Sequence, residues 1–209
     1  MNETIRPTTD TAQTSAWRLW IDRCGGFALL AGESVSVGGA RPDSMTDIQV
    51  RTDWRRCEGT VVRRNGDYFW SAADDQALQR QDAGGQLLVA NSVFPISGSA
   101  TLRLHQPSPL SRSAILSLDP PHRFDQHVDQ VLLVDQTVLI GPSAGDHIRC
   151  TALDTTAVLV FRDGRWQAKL KPGATTAGLS RRTNRPQPVD LVPGRRVSIG
   201  ELDMMLEEV

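Results

Sequence analysis

The sequence predicts an all-β protein made of two antiparallel β-sandwiches in tandem, and three observations carry this prediction. From Trp17 onward, apolar residues alternate with polar ones or form short runs. Gly, Pro, Asn and Asp separate these runs at close intervals, and no 3.6-residue period is sustained. Residues 26–71 return in looser form as residues 129–169. Because the shift of about 100 residues is the size of one ordinary domain, the chain of 209 residues predicts two related domains.

The strands predicted in the first copy are short and rich in β-branched and aromatic residues. They cover residues 28–30, 34–37, 48–50, 60–63 and 68–71, and a further strand lies within residues 98–106. The composition of residues 200–209 also suits a helix. Their equivalence to residues 98–106 favours a strand.

Turn dipeptides fall at matching places in the two copies. Asn65-Gly66 and Asp163-Gly164 predict tight hairpins, because both turn positions must accept positive φ. Gly32-Glu33 and Asp135-Gln136 predict a second hairpin in each copy. Tyr68 and Trp166 follow the first pair of turns in equivalent positions, which predicts that both side chains pack in a core.

Composition sets the predicted boundaries. Residues 1–16 are polar and rich in Thr, so we expect a disordered segment. The first sandwich is predicted at residues 17–107 and the second, more divergent one at residues 114–209. The proline-containing residues 108–113 form the linker between them.

Charge and motif content limit the classes of partner and the cellular compartment that the sequence predicts. With 23 basic and 24 acidic side chains the net charge is -1, and the basic residues 181–185 lack interleaved aromatics, so no nucleic-acid partner is predicted. No window approaches the roughly 18 apolar residues of a membrane span, so no membrane partner is predicted. Cys24, Cys57 and Cys150 are odd in number and lack C-x-x-C spacing, which predicts free thiols and a cytoplasmic protein.

No pattern for a cofactor or a metal stands out. The chain has no phosphate loop, no dinucleotide fingerprint and no G-x-S-x-G, so we predict no cofactor and no enzyme activity. His122, Asp125, His127 and Asp129 have the close spacing of metal ligands. Because two prolines precede them, we interpret them as a polar turn and predict no metal site.

Four elements of the first copy stand in a characteristic order: residues 35–38 (VSVG), residues 47–48 (DI), residues 55–56 (RR) and residues 65–68 (NGDY). In this order and its repetition, the sequence resembles tandem forkhead-associated (FHA)-like signalling proteins of bacteria. The resemblance covers most of residues 17–107 and, more weakly, residues 114–209. It implies sandwich domains that bind phosphothreonine peptides through loops at one end.

The resemblance also implies which residues should form that pocket: an Arg after the Gly that closes the third strand, a Ser-x-x-His turn and a later Asn. In the first copy Gly38 is followed by Gly39, and the Ser and His positions fall at Trp54 and Cys57. The second copy has Pro142 at the Arg position and no Ser-x-x-His between residues 150 and 161. Both pockets are therefore expected to be eroded, because a phosphate would lack the guanidinium that replaces its hydration.

The function predicted from these features is a non-catalytic protein-interaction or scaffolding module with a protein partner. Gly38, Arg41, Arg55 and Arg56 are the partner-binding candidates. A first alternative is a phosphopeptide-binding signalling module that uses relocated arginines. The arginines expected at this end of the first copy are Arg41, Arg51, Arg55, Arg56, Arg63 and Arg64.

The second alternative is a cysteine-dependent enzyme. Arg55 and Arg56 adjoin Cys57 and would favour its reactive thiolate form. A thiolate enzyme also needs a base, and no His precedes His105 in the first copy, which disfavours this alternative.

Overall fold

A computed structural model describes residues 14–73, 85–109, 111–151, 153–171 and 187–209. The described part is built of strands without helices, which confirms the all-β class. Residues 1–13 of the expected disordered segment and the basic residues 181–185 lie outside the described residues, whereas Ser15 already begins the first strand. The strands are β1 (Ser15–Ile21), β2 (Gly25–Ala31), β3 (Ser34–Gly39), β4 (Ile48–Val50), β5 (Gly59–Arg64), β6 (Asp67–Ala72), β7 (Gln86–Leu88), β8 (Leu102–His105), β9 (Ala114–Leu118), β10 (Gln130–Val134), β11 (Thr137–Gly141), β12 (Ile148–Arg149), β13 (Ala157–Arg162), β14 (Arg165–Leu170), β15 (Val189–Leu191), β16 (Arg196–Ile199) and β17 (Leu202–Glu208).

The strands form three sheets. The central sheet has the order β16-β17-β1-β2-β10-β9-β8 and contains strands from both copies. The first-copy sheet has the order β4-β3-β5-β6-β7, and the second-copy sheet has the order β12-β11-β13-β14-β15. The sheets are mixed rather than purely antiparallel, because β3 pairs parallel with β4, β11 with β12 and β2 with β10.

The central sheet has an outer sheet packed on each face, and each contact forms a hydrophobic core. The first core joins the first-copy sheet to β2, β8, β9 and β10. The second core joins the second-copy sheet to β1, β2, β10, β16 and β17, and to Ile115 of β9. Strands β2 and β10 contribute to both cores, which explains why their sequences are apolar at nearly every position.

The opening strands of the two copies are exchanged between the cores. Trp17, Leu19 and Ile21 of β1 pack in the second core, although β1 precedes the first copy in sequence. Ala114 and Leu116 of β9 pack in the first core. Strand pairing also crosses the predicted boundary at residues 108–113, since β8 pairs with β9 and β1 pairs with β17.

The predicted hairpins have two different outcomes. Asn65 and Gly66 have φ of 56° and 93°, and Asp163 and Gly164 have φ of 51° and 73°, which confirms these two turns. The hairpins predicted at residues 32–33 and 135–136 are wrong. Each of these pairs leads the chain from the central sheet into an outer sheet, and a two-residue polar turn looks the same in sequence whether or not the strands that follow pair.

The side chains predicted to be core anchors are buried, Tyr68 in the first core and Trp166 in the second, which confirms that prediction. The Tyr68 hydroxyl donates its one proton to the carbonyl oxygen of Arg112 at 2.7 Å, and the carbonyl oxygen of Leu133 lies farther away, at 3.3 Å. Burial raises the pKa of Tyr68 to about 12. The hydroxyl thus fixes the predicted linker against the first-copy sheet.

The prediction of three free thiols is wrong, because Cys24 and Cys150 form a disulfide while Cys57 is free. A sequence separation of 126 residues hides this pairing. It arises because the exchange of opening strands brings the β1–β2 turn to β12. No helix in the described part of the chain could cross a membrane.

Candidate functional site

The loop between β3 and β4 and the loop between β4 and β5 meet at one tip of the first core, where the resemblance places its binding site. Gly38 lies in β3 directly beneath the backbone of the second loop, and a Cβ at Gly38 would lie 1.9 Å from the carbonyl oxygen of Arg56. The Gly39 N–H donates to the carbonyl oxygen of Arg55 at 2.6 Å. The two glycines therefore let residues 54–57 lie on β3, and this close approach accounts for their presence without a ligand.

The structure brings Arg41, Arg55 and Arg56 to this tip, and all three are exposed. The Arg56 guanidinium pairs with Asp43 at 3.4 Å, and the Arg41 guanidinium donates to the carbonyl oxygen of Trp54 at 3.3 Å. These contacts direct the guanidinium groups of Arg41 and Arg56 toward the protein's own loops.

The other arginines expected at this end have different surroundings. Arg51 pairs with Asp125 at 2.7 Å, and Arg63 pairs with Asp135 at 2.9 Å. The Arg64 guanidinium lies 5.9 Å from the ring centre of Phe69, a cation–π distance.

Carboxylates also line the tip. A cavity of about 290 Å³ beside the loops is bordered by Asp53, Glu58 and Arg55. Asp53 accepts hydrogen bonds from the backbone and hydroxyl of Ser99 and from Thr52, and these bonds hold the pKa of Asp53 well below its ordinary value. Because Asp53 stays ionised and Glu58 accepts the Arg55 N–H at 2.7 Å, the cavity does not favour a phosphate dianion.

The equivalent tip of the second copy is smaller and contains no arginine between β11 and β12. The buried Asp146 carboxylate accepts the Ser143 N–H at 2.8 Å and the Thr156 hydroxyl at 3.3 Å. Those bonds close the loop that follows Gly141 and occupy both carboxylate oxygens.

Asp47 of the first copy and His147 of the second occupy equivalent places, and the sequence did not predict that their side chains share a role. Asp47 precedes β4 and accepts the N–H of Ser36 in β3 at 2.7 Å. His147 precedes β12, and its Nδ1 accepts the N–H of Leu139 in β11 at 3.0 Å. Burial lowers the pKa of His147. A carboxylate and a neutral imidazole therefore perform the same backbone-binding task.

The side chains weighed as metal ligands do not converge. His122 contacts Ser99, Asp125 and His127 contact Arg51, and the Asp129 carboxylate accepts the Gly26 N–H at 2.9 Å. Within the described ranges, no group of three or more His, Cys, Asp or Glu side chains is placed to hold a metal ion.

Cys57, the nucleophile of the enzyme alternative, is half-buried at the tip. Its Sγ lies 3.8 Å from the carbonyl oxygen of Gly59. In the described part of the chain no histidine makes a hydrogen bond to it, so the arrangement of nucleophile and base is not formed there.

An apolar row on the outer face of the first-copy sheet was not visible in the sequence pattern. Val62, Phe69 and Leu87 lie opposite one another on β5, β6 and β7. Leu87 is 49% exposed, and Val89, the residue after β7, is 60% exposed.

The corresponding row of the second-copy sheet is Val160, Gln167 and Asp190, in which the last two side chains are hydrogen-bonded to each other. The two copies thus present different chemistry at equivalent places.

Comparisons with protein-family models, with curated proteins and with solved structures find no match to this chain.

Proposed function

We propose that this protein is a non-catalytic interaction or scaffolding module of two FHA-like units whose phosphothreonine pockets are eroded. The observation that carries the proposal is the state of the tip: Arg56 and Arg41 already contact Asp43 and Trp54, and Asp53 and Glu58 border the adjacent cavity. A phosphate entering there would compete with these contacts and would be repelled by the carboxylates of Asp53 and Glu58, so the tip offers it little net attraction.

The apolar row on the outer face of the first-copy sheet supports protein binding. Val62 and Phe69 are half-buried and Leu87 is exposed. Apolar side chains that lie together on a surface are typical of interaction surfaces, whereas single exposed ones need no explanation. Phe69 and Leu87 have the polar counterparts Gln167 and Asp190 in the second copy. We therefore place the partner on this face of the first-copy sheet, next to the tip that contains Gly38, Arg41, Arg55 and Arg56.

The test is co-purification of partners from the native cell with the tagged full chain and two matched variants. Leu87→Glu places a charge in the apolar row, and Lys169→Glu places the same side chain at an exposed outer position of the second-copy sheet. We expect Leu87→Glu to lower partner recovery at least tenfold and Lys169→Glu to leave it unchanged, with equal melting temperatures. Equal recovery with both variants would contradict this surface.

A second measurement distinguishes the proposed module from one that binds phosphopeptides through relocated arginines. A phosphothreonine peptide library and its unphosphorylated twins are presented to the wild type and to the triple variant Arg41→Ala, Arg55→Ala, Arg56→Ala. We expect no preference for the phosphorylated set. A tenfold preference that the triple variant abolishes would replace the eroded-pocket proposal with the signalling alternative.

A further inference from the structure

Strand β4, at the edge of the first-copy sheet, is covered by the chain's own β9–β10 connection. Phe124 pairs with Val50 in an antiparallel bridge. The Asp125 N–H donates to the Gln49 carbonyl oxygen at 2.8 Å, and the Arg51 N–H donates to the Arg123 carbonyl oxygen at 3.1 Å. The segment of residues 123–126 therefore acts as an extra strand on β4, with the Phe124 side chain buried in the first core.

Strand β12 is the equivalent edge of the second-copy sheet, and the β1–β2 connection beside it is too short to cover it. That connection contains only residues 22–24, whereas the β9–β10 connection contains residues 119–129. It reaches β12 at one point, through the Cys24–Cys150 disulfide. Among the described residues, the Arg149 carbonyl and the Thr151 N–H, which correspond to the bonded groups of Gln49 and Arg51, make no backbone hydrogen bond outside β11.

A cavity of about 480 Å³ lies along this open edge, between β12 and the face of the central sheet. Phe27 and Ile115 form its apolar wall, and Arg149 and His105 stand on its rim. Two carboxylates, Asp129 and Asp146, also line the cavity and accept the backbone N–H groups of Gly26 and Ser143, so an apolar side chain suits its interior and an acidic one does not. Arg149 is exposed and forms no ion pair with any described residue, so an incoming acidic side chain would pair with it at the rim, outside the cavity.

We propose that the open edge of β12 binds an extended segment of a partner protein as an added antiparallel strand. This inference rests on the proposed interaction function and names its partner class. The segment places an apolar side chain in the cavity, as Phe124 does beside β4, and an acidic residue against Arg149. Its backbone bonds the Arg149 carbonyl and the Thr151 N–H, in the manner of strand addition. Because the central sheet walls the cavity on one side, a single strand fits and the sheet of a second copy does not.

The probe is a displayed library of random seven-residue peptides, selected on the oxidised full-length wild-type chain. The Arg149 N–H points away from β11, so Arg149→Pro keeps the β11 pairing while obstructing an added strand. Arg149→Glu reverses the charge, and Arg162→Glu on the exposed β13–β14 hairpin is its matched control. We expect selected peptides to combine an apolar and an acidic residue and to slow amide hydrogen exchange at Thr151. We also expect at least tenfold weaker binding to both Arg149 variants and unchanged binding to Arg162→Glu.

Failure of this inference is distinct from failure of the proposed function. Selected peptides that bind Arg149→Pro as well as wild type, or a library that yields none, would overturn strand addition at β12. Cellular partners that Arg149→Pro retains and Leu87→Glu loses would keep the interaction module and remove only this site. If both Arg149→Pro and Leu87→Glu recover the same partners as the wild type, the result would count against strand addition at β12 and against the apolar row as the partner-binding surface.

Discussion

Strands β4 and β12 occupy the same place in the two copies, yet the chain secures them by different means. Phe124 covers Val50 with a buried ring and a short added strand, whereas Cys24 reaches Cys150 through a covalent bond. The lengths of the connections account for the difference, since residues 119–129 can run along an edge and residues 22–24 can only touch one. Equivalent edges of the two copies are thus secured by a hydrophobic contact in one and by a cross-link in the other.

The two devices stabilise the fold through different states. Burial of Phe124 removes apolar surface from water in the folded protein. The disulfide restricts the unfolded chain, and in the chain-entropy account its effect grows with the length of the closed loop. Denaturant should therefore destabilise the attachment of both β4 and β12, and a reductant should destabilise only that of β12.

Removal of the Phe124 ring should have the largest effect. Phe124→Ala leaves a cavity in the first core and unseats the strand on β4, so we expect the free energy of unfolding in urea to fall by about 3–5 kcal/mol. Arg123→Ala, at the exposed neighbouring position, should change it by less than about 0.5 kcal/mol. A loss below about 1 kcal/mol for Phe124→Ala would mean that the ring is not what holds the edge.

Replacement of the disulfide should rank second. The double variant Cys24→Ala, Cys150→Val places directly after β12 the valine that β4 has at Val50, and we expect the free energy of unfolding to fall by about 2–4 kcal/mol. Dithiothreitol should lower the stability of the wild type toward that of the double variant and leave the double variant unchanged. A wild type that is insensitive to reductant would contradict the role assigned to the bond.

The sequence predicted the local parts of this comparison but not their arrangement. The β class, the turns at Asn65 and Asp163 and the buried Tyr68 and Trp166 follow from residue type and spacing. The exchange of opening strands does not, because β2 and β10 are apolar on both faces and their pattern is compatible with either core. The disulfide was missed for the same reason, since only the exchange places Cys24 beside β12.

The candidate site was predicted to a similar extent. Proximity of Gly38, Arg41, Arg55 and Arg56 follows from two loops that flank one strand, and the structure places all four at one tip. The groups that these arginines contact could not be predicted from the sequence, because an ion pair such as Arg56–Asp43 depends on loop conformation. The apolar row was missed because its members lie on three strands and become neighbours only through register.

The equivalent glycines Gly38, in β3, and Gly141, at the end of β11, sharpen the comparison of the two tips. A Cβ at Gly38 would meet the backbone of Arg56, whereas a Cβ at Gly141 would meet the Asp146 carboxylate at 2.6 Å. Because a side chain can move and a packed backbone cannot, we expect Gly38→Ala to cost about 1–3 kcal/mol and Gly141→Ala to cost less. Thermal unfolding of the two variants measures the difference. Equal losses would show that the second tip is as rigid as the first.

The smallest effect should come from His147, and it should appear only in acid. Burial lowers the pKa of His147 from its ordinary value of 6.5, so the unfolded chain takes up a proton that the folded chain resists. The contribution of His147 to stability is therefore complete above pH 6.5 and is lost as the pH falls through the lowered value. In His147→Asn the amide oxygen accepts the Leu139 N–H without titrating, so the free energy of unfolding should fall less between about pH 7.5 and pH 5 than in the wild type. Parallel pH profiles for the wild type and His147→Asn would show that the imidazole takes up its proton as readily in the folded chain as in the unfolded one.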